Sequence, residues 1–391
     1  MDLLGYLEHQ TATFDEEPFN AVDSAVLSQF CMVRSEGVAP RLRREQDGDS
    51  SRSPKMEALS DRLHALGTRP AHVIDYLDVR LFDGIFGGTD AGNVKQVVFL
   101  MASNPRFRDL EICDYEEVFD EETHTQFSAI TLVYRDEWAY VGYRGTDGSI
   151  TGWRENFDMA VNPPVQAQTL AVSYLDSVAR HLPDRLYVGG HSKGGNLATY
   201  AALRCSKPVQ DRIAQVFDHD GPGFKAGFIA DGEFDVLEGR IHRTVPEESL
   251  VGQLMDTPAL TRAIRSTVRG FQQHSIFTWL VNDDLRDFRY ALGVSDSAIW
   301  MHRVLDDWIA SMDDESLPRV VDALFRAVDA SGLKSADELF SGNSNVLGLL
   351  IDTARNMDDE TSEVLVPALT GLASIATQAT TRDIRRPRWR S

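Results

Sequence analysis

The sequence predicts an α/β protein: a mixed, mainly parallel sheet covered by helices on both faces, followed by a helical C-terminal region. Three observations lead there. Between residues 129 and 245, short β-rich runs alternate with helical patterns, as strand–helix–strand units do. One strand-to-helix junction carries a serine set between glycine pairs, in Val188-Gly-Gly-His-Ser-Lys-Gly-Gly-Asn196. From about Ser297 to Thr377 the pattern is helical.

At 391 residues, with 42% hydrophobic and 25% charged side chains, the chain can bury one large core or two moderate ones. We expect an α/β domain over 1–295, a helical extension over 296–380 and a basic tail over 381–391. The net charge of −21 argues against nucleic-acid binding through a general basic surface and fits a soluble protein. The tail, with Arg382, Arg385, Arg386, Arg388 and Arg390 around Trp389, is the local exception. It reads as a solvated, disordered end, with contact to an anionic membrane surface or a partner as the alternative. Three scattered cysteines (Cys31, Cys113, Cys205) make no disulfide framework and fit a reducing compartment. The N-terminal Met-Asp-Leu-Leu-Gly-Tyr-Leu-Glu lacks the basic and apolar regions of a secretory signal, and no uncharged apolar run approaches about 18 residues. A cytoplasmic location is expected.

Along the chain, Ala21–Val33 suits a helix capped by Asn20 or Asp23. Residues 35–54 turn polar and read as an exposed loop, Met56–Leu66 resumes a helical pattern, and 35–66 together could form a lid. The glycine-rich Gly84–Asn93 fits no phosphate-binding template and reads as a turn. Ala129–Tyr134 and Trp138–Tyr143, separated by Arg-Asp-Glu, read as a hairpin. A helix over Gln168–His181, a strand at Arg185–Val188, a helix from Gly194 to Cys205, and strands at Ile213–Phe217 and Arg240–Val245 follow.

The Gly190-x-Ser192-x-Gly194 pattern at this junction has a physical reason. A serine on a sharp strand-to-helix turn is strained, and the residues two before and two after it approach closely, so both must be small. The helix that begins there aims its free N–H groups and positive dipole end at the hydroxyl, which suits an oxyanion. Ser192 is therefore the candidate nucleophile of an α/β-hydrolase fold. Such a serine needs a histidine base held by a carboxylate, in chain order Ser, acid, His. Of His219, His242, His274 and His302, the base falls to His274, in the loop-like Gly270–Trp279; His242 lies inside a strand, His302 in the helical region, and His219 comes early. For the acid, Asp220 opens Asp-Gly-Pro-Gly at a strand end, with Asp256, Glu247 and Glu248 as alternatives after the next strand. Asp220 could equally be a local turn cap. The second half of an oxyanion hole, beside the N–H of Lys193, is expected from Thr146 in Arg144-Gly-Thr-Asp147.

These motifs together resemble the class 3 lipases and, more closely, the Mbeg-like family of bacterial α/β-hydrolases. The matching segments are Pro18–Asp23, Gln126–Ala129, Arg144–Asp147, Gly152–Phe157, Gly190–Ala198, Asp220–Phe224, Val245–Gly252 and Gln273-His274, in order over about 1–280. The resemblance implies Ser192 as nucleophile, Thr146 as oxyanion residue and His274 as base. The chain departs from the lipases where they carry an aspartate shortly before Val-Pro; here Ser249 stands before Leu250-Val251, which moves the acid to Asp220.

The expected activity is hydrolysis of a carboxylic ester, on a small-molecule or lipid substrate. Acyl transfer at the same site and a non-catalytic scaffold are the alternatives. Trp153, Phe157, Phe271, Phe277 and Trp279 could line an acyl pocket or belong to the core. No cofactor or metal is expected, since H-E-x-x-H, Walker-type and zinc-spaced Cys/His patterns do not occur.

Overall fold

The computed structural model describes residues 1–42, 69–87, 90–313, 315–331 and 346–385. Eight strands lie side by side in chain order: β1 Ala71–His72, β2 Glu111–Asp120, β3 Thr125–Tyr134, β4 Trp138–Tyr143, β5 Leu186–His191, β6 Ile213–His219, β7 Ile241–Pro246 and β8 Thr261–Ile264. Pairing is antiparallel from β1 to β4 and parallel from β4 to β8. The carboxyl ends of β4, β5, β6 and β7 therefore share one edge of the sheet. In open α/β sheets that edge is where ligands bind.

Both faces of the sheet are covered, which explains the unbroken apolar character of its centre. All ten residues of β3 are buried. Its side chains alternate between two cores: Ile130, Leu132 and Tyr134 join one, Ala129 and Val133 the other. On the first face pack helices α1 Leu3–His9, α2 Ala21–Phe30 and α3 Ala91–Ser103. On the second pack α4 Ile150–Val161, α5 Gln166–Val178 and α6 Lys193–Arg204. α6 follows β5 and leads to β6, and its alanines Ala198, Ala201 and Ala202 are fully buried against the strands.

The C-terminal helical region comprises α7 Asp296–Ala310, α8 Ser316–Ser331, α9 Val346–Arg355 and α10 Asp359–Arg385. It has a core of its own around Trp308, Leu324, Leu350 and Leu365. It meets the α/β part at α4, where Trp153 and Phe157 pack on Leu317, Val321 and Phe325.

Several boundaries differ from expectation. α2 ends at Phe30, three residues short of Val33, and both proposed caps act: Asn20 accepts from Val22 and Asp23 N–H, while Asp23 accepts from Asn20 N–H. β5 runs on to His191 and β6 to His219, because both are paired to the end of the sheet. β2 lay hidden in an acidic stretch whose alternation is broken by a register shift between Ile112 and Asp114. Ser35, expected to open an exposed loop, is buried under the Tyr76 hydroxyl at 2.8 Å, and Leu42 N–H donates to Tyr115 O. The remainder of that segment, with the Met56–Leu66 helix and the lid, lies outside the described residues. Within Gly84–Asn93, Gly84 and Ile85 close a helical turn and Ala91–Asn93 begin α3. Residues 381–385 of the expected tail belong to α10; 386–391 lie outside the described residues. Among the described residues no helix is long and apolar enough to cross a membrane.

Candidate active site

Ser192 stands between the last residue of β5 and the first of α6, with φ 58° and ψ −131°. This is a sparsely populated region for a side chain-bearing residue and must be enforced by the surroundings. The enforcement is steric. A Cβ on Gly190 would come 2.7 Å from Tyr143 O and closer still to the backbone of Gly194, and one on Gly194 would overlap Tyr143 O. Only two glycines let β5, α6 and the end of β4 meet here. The Ser192 N–H donates to His219 O at 2.9 Å, which fixes the turn to β6.

Ser192, His274 and Asp220 come together in one hydrogen-bonded chain. The Ser192 hydroxyl donates to His274 Nε2 at 3.0 Å, and His274 Nδ1 donates to Asp220 Oδ2 at 2.7 Å. A carboxylate can only accept, which assigns the tautomer that leaves Nε2 free to take the serine proton. Asp220 is fully buried and His274 about one-fifth exposed. The second oxygen of Asp220 accepts from Ser249 Oγ at 2.5 Å and from Gly252 N–H at 3.1 Å. Ser249, the residue that departs from the lipase pattern, thus serves the carboxylate rather than replacing it.

Asp220 has φ 54°, and the turn it opens is clamped from three sides. Asn196 of α6 donates to Pro222 O and Gly223 O at 3.1 and 2.8 Å and is itself oriented by Gln168 at 2.9 Å. Arg243 of β7 donates to Gly221 O at 2.8 Å and Gly252 O at 2.6 Å, and is ion-paired with buried Asp218. Asp218 in turn accepts from Gly221 N–H at 2.9 Å; burial holds its carboxyl above the ordinary range in spite of Arg243. The loop of His274 is held by Gln273, whose Oε1 accepts from Glu248 N–H, and by Trp279 Nε1 donating to Gln273 O at 2.8 Å. His191 packs its ring on that of His274, centroids 4.7 Å apart, and its Nε2 donates to His274 O at 2.8 Å. Burial, and then the neighbouring His274, keep His191 neutral far below the usual histidine range.

On the other side of Ser192 the Arg144–Asp147 turn leaves β4 and comes so close that a Cβ on Gly145 would lie 2.8 Å from His191 O and 3.4 Å from Ser192 Cβ. Thr146 Oγ1 accepts from Asn156 Nδ2 of α4 at 2.9 Å. Lys193 is fully buried; its Nζ donates to Gln126 O, Gln126 Oε1 and Glu155 Oε2 at 2.5, 2.6 and 2.9 Å. Burial lowers its pKa, opposed by the Glu155 charge.

The other candidates fall elsewhere. Asp256 is exposed and bridges Phe224, and Glu248 accepts from Gly270 N–H rather than from a histidine. His219 is buried between Thr244 and Ser24, His242 contacts Tyr290, and His302 pairs with Asp306 on α7. Of the five aromatics, Phe277 and Trp279 belong to the first core and Trp153 and Phe157 to the contact with α8. Only Phe271 lies beside the site, stacked on His274 at 5.8 Å. Asn196, Arg243, Asp218, Gln168, Glu155 and Gln126 were not singled out from the sequence. Among the described residues no group of three or more His, Cys, Asp or Glu could hold a metal ion.

No curated protein matches the chain. Among solved structures, that of M37 lipase is similar at 17% identity and a TM-score of 0.31, over 42% of this chain and 64% of that one. The chain therefore spans less than two thirds of that lipase's length. The family model described as Mbeg1-like matches residues 101–326, from the end of α3 through the sheet into α8. With more than half its length matched by that model, the chain belongs to the Mbeg1-like family.

Proposed function

We propose that this protein is a serine hydrolase that cleaves carboxylic esters through an acyl-enzyme on Ser192. The observation that carries the reading is the Ser192–His274–Asp220 chain, with links of 3.0 and 2.7 Å between three residues 28 to 82 positions apart. Ser192 Oγ attacks the ester carbonyl while His274 Nε2 takes its proton; buried Asp220 stabilises the imidazolium that forms. The oxyanion lies against the start of α6, where the Lys193 N–H and the Thr146 corner converge on the serine. His274 then returns the proton to the leaving alcohol, and a water molecule repeats the sequence to release the acid. The neutral ring of His191 supports the same reading, since a second cation stacked on His274 would oppose imidazolium formation.

The test is labelling by a fluorophosphonate with peptide mass spectrometry, followed by assays on p-nitrophenyl esters of graded chain length. The wild type is expected to carry the adduct on Ser192. Ser192→Ala should abolish labelling, and His274→Ala should slow it at least about 100-fold. A folded wild type that resists the probe and hydrolyses no ester would sink the reading.

A further inference from the structure

Lys193 follows the nucleophile, and the mechanism above uses only its backbone N–H. Its side chain is a buried ammonium with all three protons engaged: Gln126 O at 2.5 Å, Gln126 Oε1 at 2.6 Å and Glu155 Oε2 at 2.9 Å. A buried lysine–carboxylate pair is costly to desolvate and gives little stability that apolar residues of similar size would not give. Such a group at the residue beside the nucleophile calls for another reason.

The geometry points to that reason: the Lys193 side chain, Glu155 and Gln126 are positioning residues that set both halves of the oxyanion hole. The first half is the Lys193 N–H itself, whose direction depends on how the first residue of α6 is rotated about Ser192. A three-point anchor on Nζ, to β3 and to α4, fixes that rotation. The second half is the Gly145–Thr146 corner, and Gln126 Nε2 donates to Gly145 O at 3.4 Å. One amide side chain thus ties the corner to the ammonium. Glu155 closes the network, for it also accepts from Gln126 N–H at 3.1 Å and from Ala167 N–H at 3.3 Å at the start of α5. α4, α5, β3 and the elbow are joined at a single buried charge pair.

The inference rests on the proposed serine hydrolase activity, and its test separates the two. Removing one charge alone leaves the other buried and unpaired, so the informative variant is Glu155→Gln with Lys193→Met. It removes both charges, keeps similar volumes and retains every backbone N–H. We expect it to melt close to the wild type while kcat on a p-nitrophenyl ester falls about 10–100-fold and KM changes less than about 2-fold. Affinity for a trifluoromethyl ketone, which forms a tetrahedral oxyanion on the serine, should weaken by a factor similar to the loss in kcat. Gln126→Ala keeps the charge pair and should show the same split at several-fold, which decides the matter if the double variant does not fold. Folded variants with wild-type kcat and inhibitor affinity would overturn the inference and leave the hydrolase reading intact. A wild type that neither labels at Ser192 nor cleaves any ester overturns both.

Discussion

The turn carrying Ser192 and the turn carrying Asp220 leave neighbouring parallel strands at the same edge of the sheet, and each holds a residue at positive φ. Both rest on close glycine packing, and they differ in what is added to it. At the elbow the constraint is backbone against backbone: Gly190, Gly194 and Gly145 let β4, β5 and α6 approach to distances that no Cβ would allow. At the acid turn Gly221 and Gly223 pack as closely: a Cβ on Gly221 would fall 2.7 Å from Asn196 N, and one on Gly223 closer still to Asp256 O. Polar groups also reach in from elsewhere: the side chains of Asn196 from α6, Arg243 from β7 and Ser249, and the N–H of Gly252, from the loop after β7. A sterically enforced turn is stated by a few adjacent residues. A turn enforced by hydrogen bonds is stated by residues tens of positions away, and each of them is expensive to lose because it is buried.

The largest effect that tests this contrast is Asp220→Asn. Ser249 and Gly252 both need an acceptor, so the amide would turn its carbonyl to them and its NH2 towards His274 Nδ1. The imidazole must then accept at Nδ1 and carry its proton on Nε2, where it can no longer take one from Ser192. We expect kcat to fall by about 10⁴-fold, as a wrong tautomer does in other triads, with the near-ultraviolet circular dichroism unchanged. Activity within tenfold of the wild type would remove Asp220 from the mechanism.

The next effect is on stability. Arg243→Met leaves the Asp218 carboxylate buried without its cation and frees Gly221 O and Gly252 O. Breaking such a pair costs about 3–5 kcal/mol, and urea unfolding should show it. Adding Asp218→Asn should recover most of the loss, because the unpaired charge is then gone. If Arg243→Met unfolds at wild-type urea concentrations, polar clamping is not what holds the acid turn.

The same contrast explains what could be read from the sequence. The strands β3 to β7, the elbow and its helix are local patterns and lie within a few residues of where the periodicity puts them, whereas the short parallel strand β8 was not expected. The expectation that Ser192, Asp220 and His274 converge needed only chain order and a shared sheet edge. Spacing alone did not choose Asp220 over Asp256, Glu247 and Glu248; the departure from the lipase pattern at Ser249 did, since spacing does not say which carboxylate the fold buries against His274. The aromatics, open in the sequence between an acyl pocket and the core, could not be divided between the two for a related reason. Trp153 and Phe157 follow the Arg144–Asp147 corner in sequence, but they lie on the face of α4 turned to the C-terminal helices. β2 was hidden by its own register shift, and the clamps Arg243 and Asn196 by their distance along the chain from the turn they hold.

The smallest effect is a pH dependence that distinguishes the two strands' histidines from ordinary surface ones. His219, the last residue of β6, is buried with Nδ1 on Thr244 Oγ1 at 2.8 Å and Nε2 on Ser24 Oγ at 3.0 Å, and burial lowers its pKa to about 3. In the unfolded chain it returns to about 6.5. Below that value the unfolded state binds the proton and the folded state does not. Stability is therefore complete above about pH 6.5 and is lost as pH falls towards the folded value. Between pH 7.5 and 5, before carboxylates contribute strongly, this one histidine removes about 2 kcal/mol. His191 shifts in the same direction and adds to the slope. Urea midpoints measured across that window should fall in the wild type and fall less steeply in His219→Asn, whose amide can bond Thr244 without titrating. Equal slopes in the two proteins would mean that water reaches His219 in the folded state and that the packing between β6 and α2 is looser than the structure describes.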